Sequence, residues 1–93
     1  MTLHIVSKSP YSSTALADCI AAFAEGDALL LIEDGVYALA GALTDTPVVQ
    51  PVYCLGADAR ARGLAIPGKI EAIDDAQWVS LCTEHNPIVS WFK

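Results

Sequence analysis

Along the chain, short apolar runs alternate with stretches of helical spacing, and the change of period outlines the fold. The clearest run is Leu29-Leu30-Leu31-Ile32, which passes directly into Glu33-Asp34-Gly35. A continuous apolar run is the mark of a strand buried on both faces, and such strands belong to parallel sheets covered by helices. Leu3–Val6 is a first strand of the same kind, Ala28–Ile32 the second, Pro51–Leu55 the third and Lys69–Ile73 the fourth. The apolar tail Ile88–Phe92 packs back as a short strand or a turn.

Between these runs the punctuation is that of helices. Ser12 or Ser13 is placed to cap a helix running to about Ala24, because a hydroxyl there accepts from an otherwise orphaned amide. Glu25-Gly26-Asp27 stops it, with Gly26 suited to the left-handed position after a helix. A short alanine-rich helix is predicted from Val36 to Ala42, then a loop through Thr46 and Pro47. Asp58–Arg62 forms another short helix, closed by Gly63, with arginines in its last turn where cations suit the dipole. Asp74 or Asp75 caps a helix carrying Trp78, Val79, Leu81 and Cys82, which ends near His85-Asn86-Pro87. Strands alternating with helices at this spacing imply an α/β fold: residues 1–93 as one domain, a small open, mostly parallel sheet with helices on both faces. In such sheets, ligand and partner sites gather at the carboxyl ends of the strands, which draws attention to Glu33-Asp34-Gly35.

Composition adds a second expectation. The chain is 54% hydrophobic and only 17% charged, against roughly 25% charged residues in ordinary soluble domains. A small domain cannot bury that much apolar surface, and exposed apolar patches mark interfaces. A complex subunit or an oligomer is therefore expected, with self-association of the isolated chain included. The net charge of −6, with Lys8, Arg60, Arg62, Lys69 and Lys93 scattered, argues against direct nucleic-acid binding, which needs clustered cations. No apolar run approaches the ~20 residues that span a bilayer, and Met1–Ser7 lacks a basic leader and an apolar signal core. A cytoplasmic protein is expected. Cys19, Cys54 and Cys82 are odd in number and contain no C-x-x-C pair, which disfavours a disulfide framework or a zinc site.

Familiar catalytic motifs do not appear. The first strand-to-helix turn, Ser7-Lys8-Ser9-Pro10, has no glycine for a dinucleotide, and no Walker A loop, G-x-S-x-G elbow or H-E-x-x-H is present. Glu33-Asp34 would suit Mg²⁺ only with a lysine, threonine or third carboxylate that the chain does not supply; helix capping or an interface is the better reading. No cofactor or metal is expected. His4 reads as a hydrogen-bonded sheet residue, and His85 as an imidazole closing the last helix. The thiols carry what nucleophilic or carrier chemistry the chain offers. At about 100° per residue, Cys19 lies about 60° off the apolar stripe centred on Leu16, on its flank and open to partial access. It is mid-helix beside Asp18, so neither dipole nor charge lowers its pKa. Cys54 stands near the end of a strand, where the following helix can favour a thiolate, although a small core residue is the default. Cys82 is most simply core.

Several segments, in order and at matching spacing, carry a resemblance across the whole chain. They are Leu3-His4-Ile5-Val6-Ser7-Lys8-Ser9-Pro10, Leu30-Leu31-Ile32-Glu33-Asp34-Gly35-Val36, Val52-Tyr53-Cys54-Leu55, Ala61-Arg62-Gly63-Leu64 and Ser90-Trp91. Together they resemble the TusB/DsrH family of sulfur-relay subunits. The resemblance implies a DsrE/DsrF/DsrH-like fold and a cytoplasmic dimer of heterotrimers with two paralogous partners, a TusC/DsrF-like and a TusD/DsrE-like subunit. It implies passage of persulfide sulfur to a TusE/DsrC-like acceptor. In the Tus branch the destination is 2-thiouridine at the tRNA wobble position; in the Dsr branch it is sulfur oxidation. Dsr-type members tend to carry a cysteine at the position matching Cys19, which many Tus-type members lack. Cys54 falls within about one residue of the carrier cysteine of the paralogous D/E subunit. Three readings stay open: a docking subunit with passive thiols, a subunit that carries persulfide on Cys19, and a small-ligand-binding α/β module using the Glu33-Asp34-Gly35 edge.

Overall fold

The computed structural model describes residues 1–41 and 51–91. The expected helix end at Ala42, the loop at Thr46-Pro47 and Phe92 lie outside them. Five strands, β1 (Leu3–Val6), β2 (Ala28–Leu31), β3 (Val52–Leu55), β4 (Ile70–Ile73) and β5 (Ile88–Trp91), form one sheet in the order β4-β3-β2-β1-β5. Every neighbouring pair is parallel, so the sheet is wholly rather than mostly parallel, and the apolar tail is a strand. The register sets Leu3 against both Ala28 and Ile88, and Leu31 against Cys54. β1 and β2 are buried along their whole length, β2 as its unbroken apolar run requires and β1 with His4 buried among its apolar residues. The edge strands β4 and β5 are half open.

Helices cover both faces. α1 (Ala15–Ala22), a 3₁₀ helix (Glu33–Ala40) and α2 (Gly56–Ala61) lie over Val6, Leu29, Leu31, Val52 and Cys54. α3 (Asp75–Glu84) lies over the other face, against Leu3, Ile5, Ala28 and Leu30. Asp74 caps α3 with a full capping box: its carboxylate accepts from the Gln77 amide at 2.8 Å, and the Gln77 side chain accepts from the Asp74 amide at 2.9 Å. His85 follows α3 and donates from Nδ1 to the Leu81 carbonyl at 2.8 Å.

Three helix boundaries differ from the sequence expectation. α1 ends at Ala22, two residues before Ala24, because Phe23 is already extended and turns its ring inward. Gly26 has its expected positive φ of 90°, but in the turn beyond the helix. Ser13 does accept an amide, from Ala15 at 3.1 Å, although Thr14 occupies the capping position. The short helix expected after β2 from about Val36 is a 3₁₀ helix and starts three residues earlier, at Glu33. Its tighter winding brings the Gly35 backbone against the end of β1 (Discussion). α2 begins at Gly56, directly on β3, two residues ahead of Asp58.

Candidate functional site

The carboxyl ends of β2 and β3 meet where the sequence places Glu33-Asp34-Gly35. Glu33 has a positive φ of 48°, unusual for a residue with a Cβ. Its amide donates to the Asp58 carboxylate at 2.7 Å, which fixes that turn from the start of α2. Arg62 closes the group. Its Nε and Nη2 donate to Asp34 at 3.1 and 2.9 Å, its Nη1 donates to the Asp58 carbonyl at 3.2 Å, and it lies 5.9 Å from the centre of the Tyr37 ring. The hydrogen bond to Asp34 raises the Arg62 pKa further, so the guanidinium is charged throughout. The carboxylates of Asp34 and Asp58 are thus engaged by the protein's own groups, and the edge works as a brace between β2 and β3. Beside it, Leu55, Asp58, Arg60, Ala72, Asp74 and Gln77 line an open cleft of about 500 Å³.

The two candidate thiols sit elsewhere, under the helices. Cys19 is fully buried, 0% exposed, so the flank position on the helical wheel gives no access. Cys19 belongs to the buried cluster of Val6, Leu16, Leu29 and Leu31, against which Ile20, Phe23 and Trp91 also pack. Burial pushes the Cys19 thiol up to about 12, with the charge of Asp27 adding to it. The carboxylate that acts on it is Asp27, across the fold, and not its neighbour Asp18, which accepts from the Thr14 hydroxyl at 3.2 Å. Cys54 is equally sealed at 0% exposure, and burial raises its pKa as well. The start of α2 does not offset that desolvation. Cys54 stands toward the carboxyl end of β3, while Cys19 lies on the Asp27 side, near the amino ends of the strands. Cys82 is half-buried on α3 rather than core.

A buried polar network joins three distant segments. His4, the sheet histidine, contacts the Asp27 carboxylate through Nε2 at 2.9 Å, and the Trp91 indole N–H donates to its Nδ1 at 3.1 Å. An indole only donates, so Nδ1 must be the bare nitrogen and Nε2 carries the proton given to Asp27. The Asp27 carboxylate also accepts the amides of Thr2 at 2.9 Å and Ala24 at 3.0 Å. Phe23 and Trp91 flank the imidazole, with ring centres 5.4 and 6.1 Å away. Sequence reasoning named His4 but treated Asp27 as a helix stop and Trp91 as tail. The available signal was a carboxylate directly before a buried strand whose neighbour holds a histidine.

With this geometry in place, comparison with known proteins settles the family. The family described as DsrH like protein matches residues 8–88. The chain belongs to the DsrH-like family. Protein TusB of Escherichia coli O81 (strain ED1a) is 35% identical over 97 aligned positions, covering 96% of this chain and 99% of that protein. Protein TusB of Pectobacterium parmentieri is 37% identical over 98 positions, with the same coverage of 96% and 99%. The family assignment agrees with the wholly parallel α/β sheet, and among the described residues no helix is long and apolar enough to cross a membrane.

Proposed function

We propose that this chain is a docking subunit of a cytoplasmic sulfur-relay heterocomplex, with a TusC/DsrF-like and a TusD/DsrE-like partner in a dimer of heterotrimers. The complex passes persulfide sulfur to a TusE/DsrC-like acceptor, toward 2-thiouridine at the tRNA wobble position. Full-length similarity to proteins named TusB supports the branch. The observation that carries the docking role is the sealing of Cys19 and Cys54. Sulfur transfer proceeds by thiolate attack on a donor persulfide, and a buried thiol held protonated attacks poorly. In this reading both thiols are core atoms, and sulfur travels over cysteines of the partner subunits. The net charge of −6 leaves tRNA contact to other proteins.

Cys19 in the first helix favours a second destination, sulfur oxidation by a DsrH-type complex. One experiment separates the two. Deleting the gene is expected to remove most 2-thiouridine from digested bulk tRNA, and the wild-type gene to restore it. Unchanged 2-thiouridine with impaired oxidation of stored or supplied sulfur assigns the chain to the Dsr branch.

A further inference from the structure

Each strand of a parallel sheet hands the chain on to one face or the other. The helices that follow β1, β2 and β3 all lie over the same face, whereas α3, which follows β4, lies over the opposite one. Among the described elements, β3 and β4 are thus the neighbouring pair whose departing chains diverge. Open α/β sheets bind ligands in the crevice that such a divergence leaves outside the carboxyl ends of the strands. The open cleft of about 500 Å³ lies at that place: Leu55 and Gly56 line it from the end of β3, and Ala72 and Gln77 from β4 and α3. Its volume falls within the roughly 300–1,000 Å³ of small-molecule sites.

Two opposite charges line this crevice without meeting. Arg60 comes from α2 and Asp75 from α3, and among the described residues neither side chain has a hydrogen bond or an ion pair. The neighbouring charges are all engaged. Arg62 holds Asp34, the Asp58 carboxylate accepts the Glu33 amide, and the Asp74 carboxylate caps α3. The Arg60 guanidinium lies back over the start of its own helix. A Cβ on buried Gly56 would stand 3.0 Å from its Nη1 and 3.6 Å from the Ala72 Cβ. The absence of a side chain at Gly56 therefore seats the cation between α2 and β4, facing the cleft.

Charge and lining narrow the ligand. A multivalent anion such as phosphate suits Arg60 but meets Asp58, Asp74 and Asp75 on the same walls, and a simple cation leaves the guanidinium opposed. A small zwitterion satisfies both sides. Its carboxylate accepts the N–H fork of Arg60, its ammonium donates to Asp75, and Leu55, Ala57 and Ala72 receive an apolar substituent. We propose that the β3–β4 crevice is a binding site for a free α-amino acid with a small apolar side chain.

Titrating the isotope-labelled full chain with L-alanine, L-valine and L-leucine, followed by amide NMR shifts, tests the site. Saturable shifts are expected at Gly56, Ala57, Ala72 and Gln77, with the residues of α1 unmoved. N-acetyl-L-leucine lacks the ammonium and L-leucinamide lacks the carboxylate, and each is expected to bind about tenfold more weakly than L-leucine. Arg60→Gln and Asp75→Asn lower the affinity for L-leucine by a similar factor. Their melting curves stay those of the wild type, since both side chains are exposed. Asp75→Asn also abolishes the preference for L-leucine over N-acetyl-L-leucine, and Arg60→Gln the preference over L-leucinamide. No saturable shift with any of the three amino acids at ~10 mM overturns the site, as do shifts that cluster away from the cleft. N-acetyl-L-leucine or inorganic phosphate binding as tightly as L-leucine overturns the zwitterion, because the crevice then takes anions alone.

Discussion

Replacing Gly35 with alanine is expected to destabilise the domain by roughly 2–4 kcal/mol, a large part of the ~5–10 kcal/mol typical of a domain this size. A Cβ on Gly35 would be driven into the Val6 carbonyl oxygen and would stand 2.9 Å from its carbonyl carbon. Those are backbone atoms at the end of a strand between two others, so no side chain can swing away. The approach is built by two hydrogen bonds: the Ile32 amide donates to Val6 O at 3.0 Å, and the Gly35 amide donates to Ile32 O at 2.8 Å. Gly68, with nothing within 4 Å of an added Cβ, provides the control. Thermal unfolding should show Gly35→Ala melting roughly 10–30 °C below wild type and Gly68→Ala close to it. Equal melting of the two variants would remove the close approach as the reason for this glycine.

Asp27→Ala is expected to cost about 3 kcal/mol or more, because it strips the acceptor from the Thr2 and Ala24 amides and the His4 ring N–H at once. The network ties the chain's start, the turn before β2 and β5 into one point, so the loss loosens β5 along with the core. The pH dependence is specific. Burial alone would raise the Asp27 carboxyl, yet the donors from Thr2, His4 and Ala24 outweigh it and bring it down from 3.8 to about 2. A carboxyl lower in the folded state than in the unfolded one stabilises the fold in its ionised form. That contribution is complete above about pH 4 and is lost as pH falls toward 2. Urea unfolding across this window should show wild-type stability falling, and Asp27→Asn, already weaker at pH 6, falling less steeply. Parallel slopes for the two proteins would contradict the assignment.

The sheet was legible because parallel strands buried on both faces leave unbroken apolar runs, as at Leu29–Leu31. α3 was legible because its capping box is written locally, in Asp74 and Gln77. The start of the 3₁₀ helix was placed too late because it is set by the contact of Ile32 and Gly35 with the end of β1, a tertiary fact that Val36–Ala42 does not encode. For the site, the wheel placed Cys19 on the edge of the α1 stripe but could not show the tertiary packing that buries it completely. The Glu33-Asp34-Gly35 segment looked like a ligand edge because its carboxylates stand at the end of a buried parallel strand. Its partners Asp58 and Arg62 lie more than twenty residues away, and they turn it into a brace. The network of His4, Asp27 and Trp91 joins residues at the two ends of the chain, and only the β1–β5 pairing brings them together.

The docking role stands on two thiols that lie sealed in the core. Its most direct test is 2-thiouridine in tRNA from cells whose only copy of the gene encodes Cys19→Ala/Cys54→Ala, with the purified complex checked for intact assembly. The account predicts wild-type thiolation from an assembled complex. Thiolation lost while the complex remains assembled would contradict it and make one of these thiols a carrier.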